Sequence, residues 1–219
     1  MNAHCVTPQQ VDWSRSRPRD RALDTSIVSL VPQGARVLDL GCGNGDLLLR
    51  LKADREVEER GVELEPGAVA ECLSRGLSVI QADLEESLTD LREGAFDAVV
   101  LNQVLLATAR PLHLLTEALR VGRRVLVSFP NFTYWRIRSQ IVFKGRLPVN
   151  PTLPYQWYDT PNIRLATVKD FRALCQEKHW KVRKELFVNL DRQDLPRRVR
   201  LWPNMRASLA LFALERGGR

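Results

Sequence analysis

VLDLGCGNG, residues 37–45, links an apolar run to the start of an amphipathic segment. Arg36–Leu40 predicts a buried β-strand, and Asn44–Lys52 predicts a helix whose leucines face inward. Between them the chain must turn sharply at the carboxyl end of a strand, where a ligand can approach the backbone closely. Glycine tolerates the φ values of such a turn and leaves room for the ligand. The stretch therefore predicts a strand, a ligand-binding turn and a helix.

The same alternation of short apolar runs and helical segments continues along the chain. Further strands are predicted at Arg60–Leu64, Ser78–Gln81, Phe96–Leu101, Arg124–Phe129, Val182–Leu190 and Ala207–Glu215. Helices between the first five strands indicate a parallel sheet covered on both faces. The last two strands are expected to be antiparallel, because their connection contains no clear crossover helix. We predict an α/β fold with a mostly parallel, seven-stranded sheet, in a single domain at 21–219 after a flexible arm at 1–20.

Composition narrows the class of protein. Hydrophobic residues make up 44% and charged residues 27% of the chain, which is typical of a globular domain. No stretch approaches the roughly 18 apolar residues of a membrane span, and the amino terminus lacks the pattern of a signal peptide. The four cysteines are scattered, which argues against a disulfide framework or a metal site: Cys5, Cys42, Cys72 and Cys175. We expect a cytoplasmic protein without a metal.

The net charge of +7 is unevenly distributed. No acidic residue occurs between Glu117 and Asp159, whereas seven basic residues lie between them: Arg120, Arg123, Arg124, Arg136, Arg138, Lys144 and Arg146. Such a basic face can attract nucleic acid, an anionic substrate or an acidic partner protein, or can simply be solvated. No recognised nucleic-acid motif accompanies it, which disfavours nucleic acid.

Asp39 identifies the kind of ligand that the glycine turn favours. Its carboxylate, two residues before Gly41, would repel a pyrophosphate but would pair with the cationic amino acid portion of S-adenosylmethionine. The glycines also follow a GxGxG order through Gly43 and Gly45, instead of the GxGxxG order of dinucleotide sites. The alternative is a purely structural turn.

Other strand ends supply candidate contacts to the same crevice. Glu63 lies 24 residues beyond Asp39, near the spacing at which an acid binds ribose hydroxyls, or else it is a solvated loop acid. Asp83 can accept from an adenine amino group or cap a helix, and Leu84 can pack against the ring. Asn102 follows the fourth predicted strand and is expected to face the crevice.

Several segments together resemble the family of the methionine biosynthesis protein MetW, within the class I S-adenosylmethionine-dependent methyltransferases: VLDLGCGNGDLL, GVELEP, SVIQADLEESL, FDAVVLNQVLLA, RVGRRVLVSFPNF and LPYQWYDTPNIRLATVKDFRALC. The resemblance implies a Rossmann-like fold and S-adenosylmethionine or S-adenosylhomocysteine as cofactor. It implies cofactor contacts at Asp39, Gly41, Gly43, Glu63, Leu64, Asp83, Leu84 and Asn102. It also implies a role in methionine biosynthesis together with homoserine O-acyltransferase.

No residue of the sequence identifies a catalytic base. His4, His113 and His179 are expected to be structural or exposed, and methyl transfer needs little beyond alignment of donor and acceptor. Two functions stay open: a cofactor-binding partner protein, and an active methyltransferase on a small, anionic acceptor. An RNA methyltransferase is a weaker third.

One aromatic stretch, PYQWYDTPN, is the candidate substrate or partner surface. Tyr155, Trp157 and Tyr158 could line a substrate pocket, anchor a protein interface or cover the hydrophobic core.

Overall fold

The computed structural model describes residues 21–150, 152–190 and 197–217, so the predicted flexible arm lies outside the described residues. The strands are β1 (Arg36–Leu40), β2 (Glu58–Glu63), β3 (Val79–Gln81), β4 (Phe96–Asn102), β5 (Gly122–Pro130), β6 (Lys181–Asn189), β7 (Arg197–Arg198) and β8 (Leu209–Glu215). The helices are α1 (Arg21–Leu30), α2 (Asp46–Arg55), α3 (Pro66–Ser74), α4 (Pro111–Val121), α5 (Trp135–Lys144), α6 (Val168–Glu177) and α7 (Pro203–Arg206), and a 3-10 turn spans Leu105–Ala107.

The strands form one sheet in the order β3-β2-β1-β4-β5-β8-β6-β7. β1 to β5 pair in parallel, and β8 pairs antiparallel with both β5 and β6. The predicted α/β fold and the antiparallel carboxyl-terminal strand are confirmed. The described ranges hold eight strands instead of seven, because the two-residue β7 adds to the edge beside β6. Two residues are too short to produce a hydrophobic pattern in the sequence.

The strand order reverses beside β1, and this reversal positions the site. From β1 the chain moves outward to β2 and β3, then returns to the other side of β1 as β4. The turns that leave β1 and β4 therefore run to opposite sides and open a crevice at the carboxyl ends of these strands.

Alternation along the strands decides which side chains share a face. Val37 of β1 packs in one buried cluster with Leu23 of α1 and Leu47 of α2, whereas Leu38 and Leu40 point into the cluster on the other side of the sheet. Because side chains two residues apart point to the same face, Asp39 projects toward the layer of α1 and α2.

The segment 132–166, between β5 and α6, leaves the sheet and returns to it at one place. The Phe132 N–H donates to the Ala166 carbonyl at 3.0 Å, so the two ends of the segment are joined. Beyond it, Phe171 of α6 packs against Phe129 of β5 and Phe212 of β8, with ring centroids 4.9 and 4.7 Å away. No helix within the described ranges has the length and apolar character needed to cross a bilayer.

Gly61 of β2 offers a test of how closely the turn packs. A Cβ at this position would lie 2.7 Å from the Cys42 sulfur, 2.9 Å from Val79 and 3.0 Å from Leu48. We expect Gly61→Ala to lower the free energy of unfolding by about 1–3 kcal/mol, because an added methyl group overpacks this cluster. Urea unfolding measures the change. Glu58→Ala, on the exposed start of the same strand, is the control, and equal stability of both variants would contradict the packing.

Candidate functional site

The turn after β1 is built from glycines in left-handed backbone. Gly41, Gly43 and Gly45 have φ values of 75°, 55° and 81°, which side chains other than glycine rarely adopt. The N–H groups of Gly41 and Cys42 both donate to the Val62 carbonyl, at 2.8 and 3.2 Å. The turn is therefore fastened to the end of β2 by its backbone.

Glu63 at the end of β2 fastens the turn a second time. Its Oε2 accepts from the Gly43 N–H at 2.8 Å, and its Oε1 accepts from the N–H groups of Leu64 and Glu65 at 2.8 and 3.0 Å. A carboxylate oxygen offers about two acceptor positions. These bonds therefore fill Oε1 and leave one acceptor position on Oε2.

Asp39 is the buried carboxyl group of the site. It is 2% exposed, and its Oδ1 has no hydrogen-bond partner within the part of the chain that the structure describes. Burial, together with the nearby carboxylates of Asp24 and Glu63, raises the pKa of Asp39 to about 8. A buried carboxyl group without a partner destabilises the fold and is ready for a cationic ligand.

Asp24 of α1 is the second buried carboxyl group of this face. Its Oδ1 accepts from the Asn102 amide at 3.3 Å, and Asn102 in turn accepts from the Ser128 hydroxyl at 2.7 Å. Burial raises the pKa of Asp24 to about 6, against the lowering effect of Arg50, whose guanidinium lies 3.9 Å away. The side chain of Asn102 is thus occupied by its two neighbours in β5 and α1.

Apolar side chains form the opposite wall. A Cβ at Gly41 would lie 2.6 Å from Val104 and 3.7 Å from Leu84, so these two side chains meet over the turn. Leu64, which follows β2, is 46% exposed. Asp83 is exposed, and its Oδ1 accepts from the Glu85 N–H at 2.7 Å within a turn, so it does not cap a helix there.

The structure brings together most of the predicted site residues. Asp39, Glu63 and the glycines meet at the turn, and Asp83 and Leu84 follow the neighbouring β3. Sequence reasoning missed Asp24 and Val104. One signal was available for Asp24, since it shares the buried face of α1 with Leu23 and Ile27 yet is charged. No sequence signal was available for Val104, because an apolar residue after a strand is common.

The aromatic stretch and the described histidines lie elsewhere. Tyr155 is buried, whereas Trp157 and Tyr158 are exposed, so the three do not act as one surface. His113 on α4 and His179 after α6 are both exposed.

The arrangement suits a ligand that is cationic at one end and flat and apolar at the other. Three carboxyl groups, those of Asp24, Asp39 and Glu63, crowd one side of the turn, where a positive charge relieves their mutual repulsion. Leu84 and Val104 supply the apolar contact on the other side.

Comparisons with known proteins identify relatives of the whole described region. A family model described as methionine biosynthesis protein MetW matches residues 21–214. The bifunctional methionine biosynthesis protein MetXA/MetW of Rhodopirellula baltica is 37% identical over 206 residues, which are 90% of this chain and 33% of that protein. The chain thus spans about a third of the length of this curated relative.

Solved structures share the fold. A SAM-dependent methyltransferase from Archaeoglobus fulgidus superposes with a TM-score of 0.64 at 16% identity, over 92% of this chain and 94% of its own. The cyclase SpnF superposes with a TM-score of 0.63 at 16% identity, over 96% and 85%. The predicted Rossmann-like methyltransferase fold is confirmed. Because the second of these proteins is named a cyclase, the fold by itself does not determine the reaction.

The raised pKa of Asp39 predicts an unusual dependence of stability on pH. Unfolding returns this pKa from about 8 to 3.8, so between these values the folded state holds a proton that the unfolded state has lost. Stability therefore falls as the pH rises from about 5 to about 8. We expect Asp39→Asn to remove much of this fall in urea unfolding, because the amide cannot ionise.

Asp90→Asn, which changes an exposed carboxylate, is the matched control. The measurement compares unfolding free energy against pH for the Asp39→Asn variant and the wild type. If the two curves stay parallel across this pH range, position 39 does not hold a buried carboxyl group that binds a proton.

Proposed function

The chain belongs to the family of the methionine biosynthesis protein MetW, and we propose that it binds S-adenosylmethionine, or S-adenosylhomocysteine, and acts on homoserine acylation through contact with homoserine O-acyltransferase. The observation that carries the cofactor proposal is the Asp39 carboxyl group, which is buried and lacks a partner on Oδ1. A cation that enters the crevice would favour the ionised form of this carboxyl group and pair with it, and the amino acid portion of this cofactor carries one.

The other residues of the site fit the rest of the cofactor. Glu63 would accept from a ribose hydroxyl through the acceptor position left on Oε2, while the bond that it accepts from the Gly43 N–H keeps that glycine in place. Leu84 would pack against the adenine ring, with Asp83 accepting from its amino group, and the partly exposed Leu64 would contact the ribose or the ring edge. Bound S-adenosylmethionine would supply an activated methyl group.

Asn102 has a different proposed role from a direct cofactor contact. Because both ends of its amide are occupied, by Ser128 and by Asp24, it positions Asp24 behind Asp39. The Asp24 carboxylate then contributes negative potential to the ammonium site without touching the ligand.

The curated relative supports the proposed partner. Its printed name joins MetXA and MetW in one protein, and MetXA corresponds to the acyltransferase that the family resemblance implies. The cofactor is made from methionine, so its level reports the end product of the route that acylation of homoserine serves.

We propose the cytoplasm as the compartment, supported by Cys42, Cys72 and Cys175, which are free.

An active methyltransferase is the second candidate, favoured by the basic residues of α5, which suit an anionic acceptor. Two other basic side chains of the predicted basic stretch serve the fold instead: Arg120 binds Glu117 and two carbonyls, and Arg124 binds Glu215. Incubation of methyl-labelled S-adenosylmethionine with cell metabolites separates the candidates. We expect the label to stay on the cofactor, and transfer to an acceptor would establish the second function.

Calorimetric titration with S-adenosylmethionine and S-adenosylhomocysteine tests the pocket. We expect Asp39→Asn and Glu63→Gln each to weaken binding by about 1.5–3 kcal/mol, because each removes a charge-assisted hydrogen bond. Wild-type binding near neutral pH should also release protons, since Asp39 must ionise to pair with the ammonium group. Glu58→Gln makes the same change as Glu63→Gln at the exposed, opposite end of β2 and should bind as the wild type does. Equal affinities for all proteins would refute the site.

The proposed partnership is tested by assaying homoserine O-acyltransferase of the same organism with and without this protein. We expect its activity to change when the protein is added, and to change again when S-adenosylmethionine is supplied. Asp39→Asn should keep the first effect and lose the second, because it impairs only the cofactor site. If the acyltransferase activity does not change when the wild-type protein is added, the partnership is excluded.

A further inference from the structure

The segment 132–166 carries an exposed apolar surface that the fold does not use. Six of its large side chains are 62–85% exposed: Val142, Phe143, Trp157, Tyr158, Ile163 and Leu165. α5, which begins this surface, has ten residues and buries only Ile137 fully. Large apolar side chains concentrated on one excursion of the chain are typical of an interaction surface, whereas isolated ones are common on any protein.

The same segment is basic. Arg136, Arg138, Lys144 and Arg146 accompany the apolar side chains, and Asp159 is the sole acidic residue from 132 to 166. Lys144 and Arg146 form no ion pair with any residue in the described ranges. The Arg136 guanidinium lies over the Trp135 ring, 5.4 Å from its centroid, which presents charge and aromatic surface together.

We infer that the segment 132–166 is the surface that docks homoserine O-acyltransferase, through a face of that enzyme with an apolar centre and an acidic rim. This inference rests on the partnership proposed above. The charge of the segment selects such a partner, because a second copy of this chain would bring the same cations against each other. Exposed aromatic side chains beside arginines are the composition that interface centres favour.

The docking surface is also fastened to the wall of the cofactor pocket. The Arg164 N–H donates to the Leu106 carbonyl at 3.1 Å, and the Arg164 guanidinium binds the Ala109 carbonyl. Leu106 belongs to the 3-10 turn that directly follows Val104, the side chain lying over Gly41. One end of this segment, at Arg164, is therefore joined to the turn that follows the side chain over Gly41.

Phe143→Asp and Lys144→Glu test the surface, because both positions are exposed and tolerate substitution without loss of core packing. Leu73→Asp is the matched control: it places the same charge on an exposed apolar position of α3, four strands away across the sheet. The measurements are the Kd of each protein for homoserine O-acyltransferase by surface plasmon resonance, and the Kd for S-adenosylhomocysteine by calorimetry as a check of folding.

We expect Phe143→Asp to weaken acyltransferase binding about tenfold or more, with Leu73→Asp close to the wild type. Lys144→Glu should weaken it at low salt and less at high salt, because the rim contact is electrostatic. Binding of the cofactor product should be retained by all three variants.

Three results would overturn the inference in distinguishable ways. Wild-type protein that does not bind the acyltransferase removes the partnership itself. If the wild-type protein binds the acyltransferase and the Phe143→Asp and Lys144→Glu variants bind it equally well, the partnership stands but this segment is not its docking surface. The same conclusion follows if sedimentation shows that the segment mediates self-association.

Discussion

The Asp39 carboxyl group is held inside the sheet with too few partners, and the other features of the site follow from that constraint. It lies on β1, an interior strand of the sheet, on the face covered by α1 and α2, near the carboxyl groups of Asp24 and Glu63. Water cannot solvate it there, and no described side chain binds its Oδ1. The buried carboxyl group therefore lowers the stability of the fold. Such a local loss of stability is common where a protein keeps a binding site ready for its ligand.

The surrounding structure limits that loss by fixing the backbone. The Val62 carbonyl and the Glu63 carboxylate bind successive N–H groups of the glycine turn, so the turn keeps its shape without help from a ligand. Behind it, Ser128 and Asn102 connect β5 and β4 to Asp24. The pocket is therefore preorganised, which lowers the entropy lost when a ligand binds.

Much of the fold and of the candidate site could be predicted from the sequence, because short apolar strands and the glycine turn produce strong local patterns. Asp39 and Glu63 lie near the ends of two neighbouring strands, β1 and β2, so their proximity followed from topology. The contribution of Asp24 depends on how α1 packs across the sheet, and its local sign in the sequence is a charged residue on the apolar face of α1. Tyr155 was grouped with Trp157 and Tyr158 because the three are close in sequence, but burial separates them, since loops have no fixed period.

The hydrogen bond between Phe132 and Ala166 has a consequence for the history of the family. A loop whose two ends already touch can be lengthened, shortened or exchanged without moving the strand before it or the helix after it. Selection can then alter what the loop recognises while the half of the fold from β1 to β4 stays unchanged. Relatives are accordingly expected to diverge fastest between these two residues, and to keep the acidic and glycine positions of the crevice nearly constant.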